Sequence, residues 1–316
     1  MSFVRSVLGD LPPARLGRTY AHEHLIIDPS YTTRLFPDIL LPSVENAVAE
    51  LADFRKAGGG AMVDCMPCDA GRNVLKLAEI SRRSGVHVIA PTGLHRNRFY
   101  PEGHWRFRST AERLAELFVA EIETGIDAND CAGPDVRRTG HRAGVIKLGS
   151  DGAALDAAEL LAFEAGAAAH RRTGAPVITH CEPRRGAEQV AFLASRGVDP
   201  SHVVLSHTDR EPDPDYHRQL FRTGAYVEYD RMFRAKLDDS NPTLRLFVAM
   251  AKEFPDRLML GTDGARPSYW RSYGGAPGLD HLLLGFSDRA RALGVSAEVL
   301  DKVFVANPAR AYTFRT

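Results

Sequence analysis

The sequence predicts a single (β/α)8 barrel over residues 1–316, and three observations carry that reading. Short apolar runs alternate with longer stretches of helical spacing, eight times along the chain. The polar, reactive residues gather at the C-terminal ends of those runs. In a barrel such ends converge on one mouth, whereas in a doubly wound open sheet, the second choice, they spread along an edge. The length of 316 residues allows two domains, but barrels of roughly 250 residues form single domains.

The predicted strands are residues 17–24, 61–66, 86–93, 144–149, 176–180, 203–207, 225–229 and 257–263. Each is short, apolar and bounded by turn residues. The first long helix is expected over 43–57, where Val44, Ala47, Val48, Leu51 and Phe54 share a face and Ser43 supplies an N-cap. Further helices are expected over 72–84, 110–124, 156–173, 186–196, 214–223, 243–254, 279–293 and 296–310. Gly58, Gly85, Gly125, Gly174, Gly197, Gly224 and Gly294 follow helix ends, where a left-handed residue stops the helix.

Composition removes several functions. Forty basic residues balance 40 acidic ones, which argues against a dedicated nucleic-acid binder. The first residues lack the apolar core of a secretory signal, and no apolar run approaches the ~18 residues of a membrane span. Four cysteines are too few and too scattered for a disulfide framework. A cytoplasmic enzyme or binding protein, with no membrane or nucleic-acid partner, is the expectation. One detail is unusual: only six of the 40 basic residues are Lys, and 34 are Arg.

His22-Glu23-His24 closes the first strand. Alternation turns both histidines to one side, a chelating pair suited to Zn, Mn or Co, and turns Glu23 away. A surface pair explains His-x-His equally well. His180 then ends the fifth strand, His207 the sixth and Asp263 the eighth. Four histidines and a carboxylate at the strand ends of one barrel point to a metal site. Lys147 lies inside the apolar fourth strand, in a chain that otherwise prefers Arg. A desolvated lysine can lose its proton, which an arginine cannot. It then serves as a Schiff-base nucleophile or reacts with CO2 to give an anionic carbamate. The metal-ligand types elsewhere favour the carbamate.

His22-x-His24, Lys147, His180, His207 and Asp263, in that order, resemble the phosphotriesterase family of the amidohydrolase superfamily. The similarity runs over nearly the whole chain, from Gly17–Leu25 to Asn307–Arg310. It implies two divalent transition metal ions, zinc or else manganese or cobalt. By resemblance His22, His24 and Asp263 hold the more buried ion, and His180 and His207 hold the second. Carboxylated Lys147 bridges them beside a hydroxide, where some relatives use Glu. Asp263 would also shuttle the proton. The resemblance further implies a homodimer.

The family's substrates include organophosphate triesters, acyl-homoserine lactones and phosphorylated sugar lactones, so the loops must choose. Arg266 and Tyr269, after Asp263, resemble the phosphate clamp of the sugar-lactone branch, with Lys236, or else Arg234, completing it. Arg231 and Arg271 add positive charge at the mouth. The expected reaction is opening of a phosphorylated furanose lactone. The alternative is an acyl-homoserine-lactone lactonase with promiscuous phosphotriesterase activity. Arg231 resembles a loop arginine of those enzymes, but they carry Tyr after the third strand where this chain has His95. A solvated rim of arginines, a ligand-binding barrel without catalysis, and a Schiff-base aldolase are the other readings. Cys65-Met-Pro-Cys68 allows a metal or redox role but lacks a second cysteine pair. Trp105 and Trp270 suit either pocket or packing.

Overall fold

A computed structural model describes residues 2–151, 154–182, 184–234 and 237–315. It opens on a small antiparallel hairpin, Val4–Ser6 (β1) with Gly9–Leu11 (β2), which the alternation pattern does not foretell. The hairpin belongs to the floor of the fold. Val7 N–H donates to the Val88 carbonyl at 2.8 Å, and Val4 pairs with Thr313 near the chain's other end.

The barrel strands follow in parallel: Arg18–Glu23 (β3), Gly59–Asp64 (β4), His87–Ile89 (β5), Pro91–Gly93 (β6), Val145–Ser150 (β7), Val177–Cys181 (β8), Val203–Ser206 (β9), Tyr226–Tyr229 (β10) and Leu258–Leu260 (β11). β3, β4 and β5 form one ladder, and β6 to β11 form another in sequence order. β5 and β6 are two halves of the predicted third strand, which breaks at Ala90. The circle meets again where the Thr262 and Asp263 N–H groups reach the His22 carbonyl, each at 3.1 Å. The protein is a (β/α)8 barrel, as its solved relatives also indicate.

Strand alternation sorts the side chains. Ala61, Ile89, Val145, Ile178, Val204, Tyr226 and Met259 fill the inside of the barrel as an apolar plug. Their neighbours Met62, Val88, Ile146, Val177, Leu205, Val227 and Leu258 face outward into the layer under the helices. Two residues beyond Val145, Val204 and Tyr226, the same inner face carries Lys147, Ser206 and Glu228. The inside therefore turns from apolar to polar toward the C-terminal mouth.

The helices start where the caps predict. Ser43 accepts from Asn46 N–H to begin Val44–Lys56, and Asp156 with Glu159 forms a capping box for Ala157–Thr173. Phe54 from the first of these meets Tyr20 edge-on, with centroids 4.8 Å apart. Two expectations change. The predicted helix 279–293 begins as a wide π-turn, Leu282–Phe286, before Ser287–Ala292. The predicted helix 296–310 likewise divides at the π-turn Lys302–Ala306. Beyond it Asn307 donates to the Pro255 and Leu258 carbonyls, tying the chain end to β11.

Candidate active site

The six residues singled out by spacing converge on the mouth. β3 is irregular there: its pairing with β4 shifts register between Tyr20 and Glu23. The His22 ring then lies 5.4 Å from His24 and 4.6 Å from His207, and His207 is 4.0 Å from His180, centroid to centroid. Glu23 does turn away, and it has a task that spacing alone did not suggest. Its buried carboxylate accepts the Thr262 N–H at 2.8 Å and the Thr262 hydroxyl, stapling the first strand to the last. Burial pushes this carboxyl up to about 8.

His207 and Asp263 lie just past their strands, at φ +63° and +44°. A non-glycine residue pays of order 1–3 kcal/mol for such a conformation, so the surroundings must enforce it. Asp230 does so for His207, taking the backbone N–H at 3.0 Å and Nδ1 at 2.6 Å. Glycine permits the close approaches nearby. A Cβ on Gly261 would come within 2.6 Å of the His22 backbone, and one on Gly93 within 2.0 Å of the Lys147 carbonyl.

Burial pushes His22, His95, His180 and His207 down, so these imidazoles are neutral, the form that binds cations. Burial opposes the ionisation of Asp263, but the hydrogen bond with His24 and the charge of Arg234 outweigh it and hold the carboxyl well below the usual range. Asp263 Oδ1 is 3.3 Å from His24 Nε2 and 4.0 Å from His22 Nε2. One ligand atom from each of His22, His24 and Asp263 lies within 4.8 Å of the others; His22, His207 and Asp230 form a second such group. Nδ1 of both His22 and His24 is buried without a hydrogen-bond partner among the described residues. His207 uses Nδ1 on Asp230, and His180 uses Nε2 on Glu182 at 2.7 Å, which leaves one ring nitrogen of each available. Lys147, 1% exposed, has Ser206 Oγ as a distant neighbour at 3.5 Å.

Above this floor opens a cavity of about 650 Å³. Its wall carries His95, Phe36, Ile39, Met66 and Phe99, with Arg96, Arg98, Arg210, Arg231, Arg234 and Arg266. The His95 ring stacks on Phe99 at 3.8 Å. Its Nδ1 accepts the Arg96 N–H at 2.8 Å, so a neutral ring carries its proton on Nε2. Most of these arginines are paired. Arg234 donates to Asp263 Oδ2 at 3.0 Å and to the Tyr269 hydroxyl at 3.1 Å. Arg210 bonds Glu182 and approaches Asp263, and Arg266 pairs with Asp38 at 2.6 Å. The Arg231 backbone N–H donates to Asp209 Oδ2 at 2.7 Å, and its guanidinium has no acidic partner among the described residues. Lys236 lies outside the described residues.

Some expectations need correcting. Arg271 is not in the wall; it pairs with Asp280 and Asp53. Trp270 is core, its indole N–H on the Gly264 carbonyl. Trp105 lies away from the cavity and donates to the Cys131 carbonyl. Cys65 and Cys68 do not act together: Cys65 joins the inner plug, while Cys68 points to Glu121.

A sequence profile of the phosphotriesterase family matches residues 2–312. The chain belongs to that family. A phospho-furanose lactonase of Mycoplasmopsis synoviae (strain 53) is 32% identical to it over 324 residues, 99% of this chain and 92% of that protein. The crystal structure of an amidohydrolase from Mycoplasma synoviae superposes with a TM-score of 0.94 at 30% identity, covering 99% of this chain and 92% of that one. A lactonase from Listeria monocytogenes superposes at 0.89, also 30% identical, covering 99% and 100%.

This phosphotriesterase-family chain is thus a metal-dependent hydrolase. Its site contains groups that spacing missed. Asp230 was legible, since it follows the seventh strand as Asp263 follows the eighth. Glu182 sits two residues past His180. Arg210 gave no signal beyond being one arginine among 34.

Proposed function

We propose that this one-domain protein opens a lactone ring, that of a furanose sugar lactone carrying a phosphate. The observation that carries the reading is one cavity with a His/Asp floor and a wall holding Arg231, whose guanidinium has no acidic partner among the described residues, beside Arg266 and Tyr269. The names of the similar lactonases support it.

The donors fit two divalent cations. The Nε2 atoms of His22 and His24, which face ionised Asp263, suit one; the free ring nitrogens of His180 and His207 suit the other. Lys147, carboxylated by CO2, would bridge them. Zinc, manganese and cobalt all accept such imidazole and carboxylate sets. When bound, the pair supplies Lewis acidity toward the ester carbonyl and a hydroxide near neutral pH.

The chain's own groups do the rest. Asp263 accepts the proton of the attacking water and returns it to the leaving ring oxygen. Arg234, on Asp263 Oδ2, keeps that carboxylate ionised and aimed. His95 presents Nε2–H into the cavity as a donor to the lactone's oxygens. Arg231, Arg266 and the Tyr269 hydroxyl take the phosphate through charge-assisted bonds. An acyl-homoserine lactone suits the cavity less. Leu279, Leu282 and Phe286, the apolar stretch a long acyl chain would use, are fully buried in the core.

The test compares pentono-1,4-lactones with and without a 5-phosphate, after growth with zinc, manganese or cobalt. A preference of at least about tenfold in kcat/KM for the phosphorylated lactones is expected, equivalent to ~1.4 kcal/mol. Equal rates would remove the phosphate reading. Metal analysis showing clearly fewer than two ions per chain would remove the binuclear one.

A further inference from the structure

A second cluster lies apart from the mouth, where the loop after β4 meets the long excursion before β7. Cys68 Sγ donates to Glu121 Oε2 at 3.2 Å, and Cys131 Sγ donates to Glu121 Oε1 at 3.6 Å. The two sulfurs and a Glu121 oxygen all lie within 4.8 Å of one another. The backbones are joined one residue away, Asp69 N–H to the Asp130 carbonyl at 3.1 Å. Asp130 and Cys131 both sit at positive φ, +50° and +62°, so the loop is bent to bring Cys131 in.

The donor set resembles a cation site, but its charges oppose one. Both Glu121 oxygens already accept from Arg72, each at 2.8 Å, with neither side chain exposed, and Arg138 stands 3.8 Å away. A divalent ion would have to displace a guanidinium and would find only two sulfurs beside it. Two thiols held on one carboxylate need no third ligand to join each other.

We propose that Cys68 and Cys131 form a thiol–disulfide couple that takes hydrogen peroxide or a small-molecule disulfide as oxidant. Cys131 as a residue is partly exposed although its side chain is buried, whereas Cys68 is buried throughout, so peroxide reaches the pair from the Cys131 side. The peroxide O–O bond breaks, Cys131 becomes a sulfenic acid and one water leaves. Cys68 then attacks that sulfur: the S–S bond forms, the S–O bond breaks, and the Cys68 proton departs with the oxygen as a second water. With a disulfide oxidant, Cys131 displaces one thiol to give a mixed disulfide, and Cys68 displaces the second, so that two thiols leave carrying the two cysteine protons. Cys65 does not compete, because its sulfur faces the Val63 carbonyl inside the barrel. The couple is independent of the lactonase reading.

The bond acts on the cavity wall. Met66, two residues before Cys68, lines the cavity. The Cys68 carbonyl accepts from the Tyr100 hydroxyl, whose oxygen accepts the His95 N–H at 2.8 Å.

The experiment exposes the metal-loaded protein to hydrogen peroxide or oxidised glutathione, blocks free thiols with an alkylating agent and maps the peptides. A Cys68–Cys131 linked peptide is expected, with an intact mass about 2 Da lower, reversed by dithiothreitol. Tm should rise by roughly 5 °C, because the bond closes a long loop of the unfolded chain. The Cys131→Ser variant should lose both effects while keeping the reduced protein's activity. Free Cys68 and Cys131 after oxidation, a Cys65–Cys68 link, or only sulfinic and sulfonic acids would each overturn the proposal. So would a zinc ion retained in wild type and lost in Cys131→Ser.

Discussion

Arg266→Ala separates phosphate recognition from lactone chemistry, and the structure sets its size. Arg266 Nη1 is 2.6 Å from Asp38 Oδ2, with the two side chains 47% and 54% exposed. So exposed a pair stabilises by at most ~1 kcal/mol. A hydrogen bond from guanidinium to a phosphate dianion contributes about 1.5–3 kcal/mol. Exchanging Asp38 for the substrate therefore leaves a net gain of about 1–2 kcal/mol, or about 5–30-fold in kcat/KM. Arg266→Ala should lose that factor on the phosphorylated lactone and nothing on the unphosphorylated one. Asp38→Asn, which frees Arg266 from its partner, should raise kcat/KM for the phosphorylated lactone by up to about 5-fold. The assay is initial-rate kinetics on the matched substrates at fixed ionic strength. A loss shared equally by both substrates, or by neither, would refute the assignment of Arg266 to the phosphate.

Two further outcomes rest on other parts of the fold. Glu182→Gln removes the charge that orients His180 through its 2.7 Å contact, and metal affinity should fall about 10–100-fold in a chelator competition. Unchanged affinity would deny Glu182 that role. His217 is buried between the Glu211 carbonyl and the Tyr229 hydroxyl, and burial lowers it to about 4. The unfolded chain binds this proton from about pH 6.5 downward and the fold only near 4, so stability falls as pH drops through that window. From pH 7 to 5 the loss from this residue is about 1–2 kcal/mol. Urea unfolding of His217→Gln should show a pH 7 to 5 decline smaller by that amount; an unchanged slope counts against it.

The barrel was readable because its strands repeat one short pattern and its helices carry plain caps. The six residues gathered at the mouth were readable for a related reason: a parallel barrel brings every strand end to the same place, so position along each strand implies position in space. Other features left no such trace. The break at Ala90, the register shift beside His22 and the positive φ of His207 and Asp263 depend on neighbouring strands. No local pattern announces them. The hairpin Val4–Leu11 escaped because three-residue strands are too short for periodicity to register.

Sequence alone determined the alternation, the chemistry-bearing residue at each strand end and the unusual lysine inside a strand. These are properties of short windows, where local spacing fixes which way a side chain faces. Tertiary structure decided the partners. Asp230 rather than solvent holds His207, Glu182 holds His180, and Arg234 reaches Asp263. It also separated Cys65 from Cys68, neighbours in sequence, and brought Cys68 to Cys131. Pairings across about 60 residues depend on how the loops close over the barrel, and loop closure is set by packing that no short window encodes.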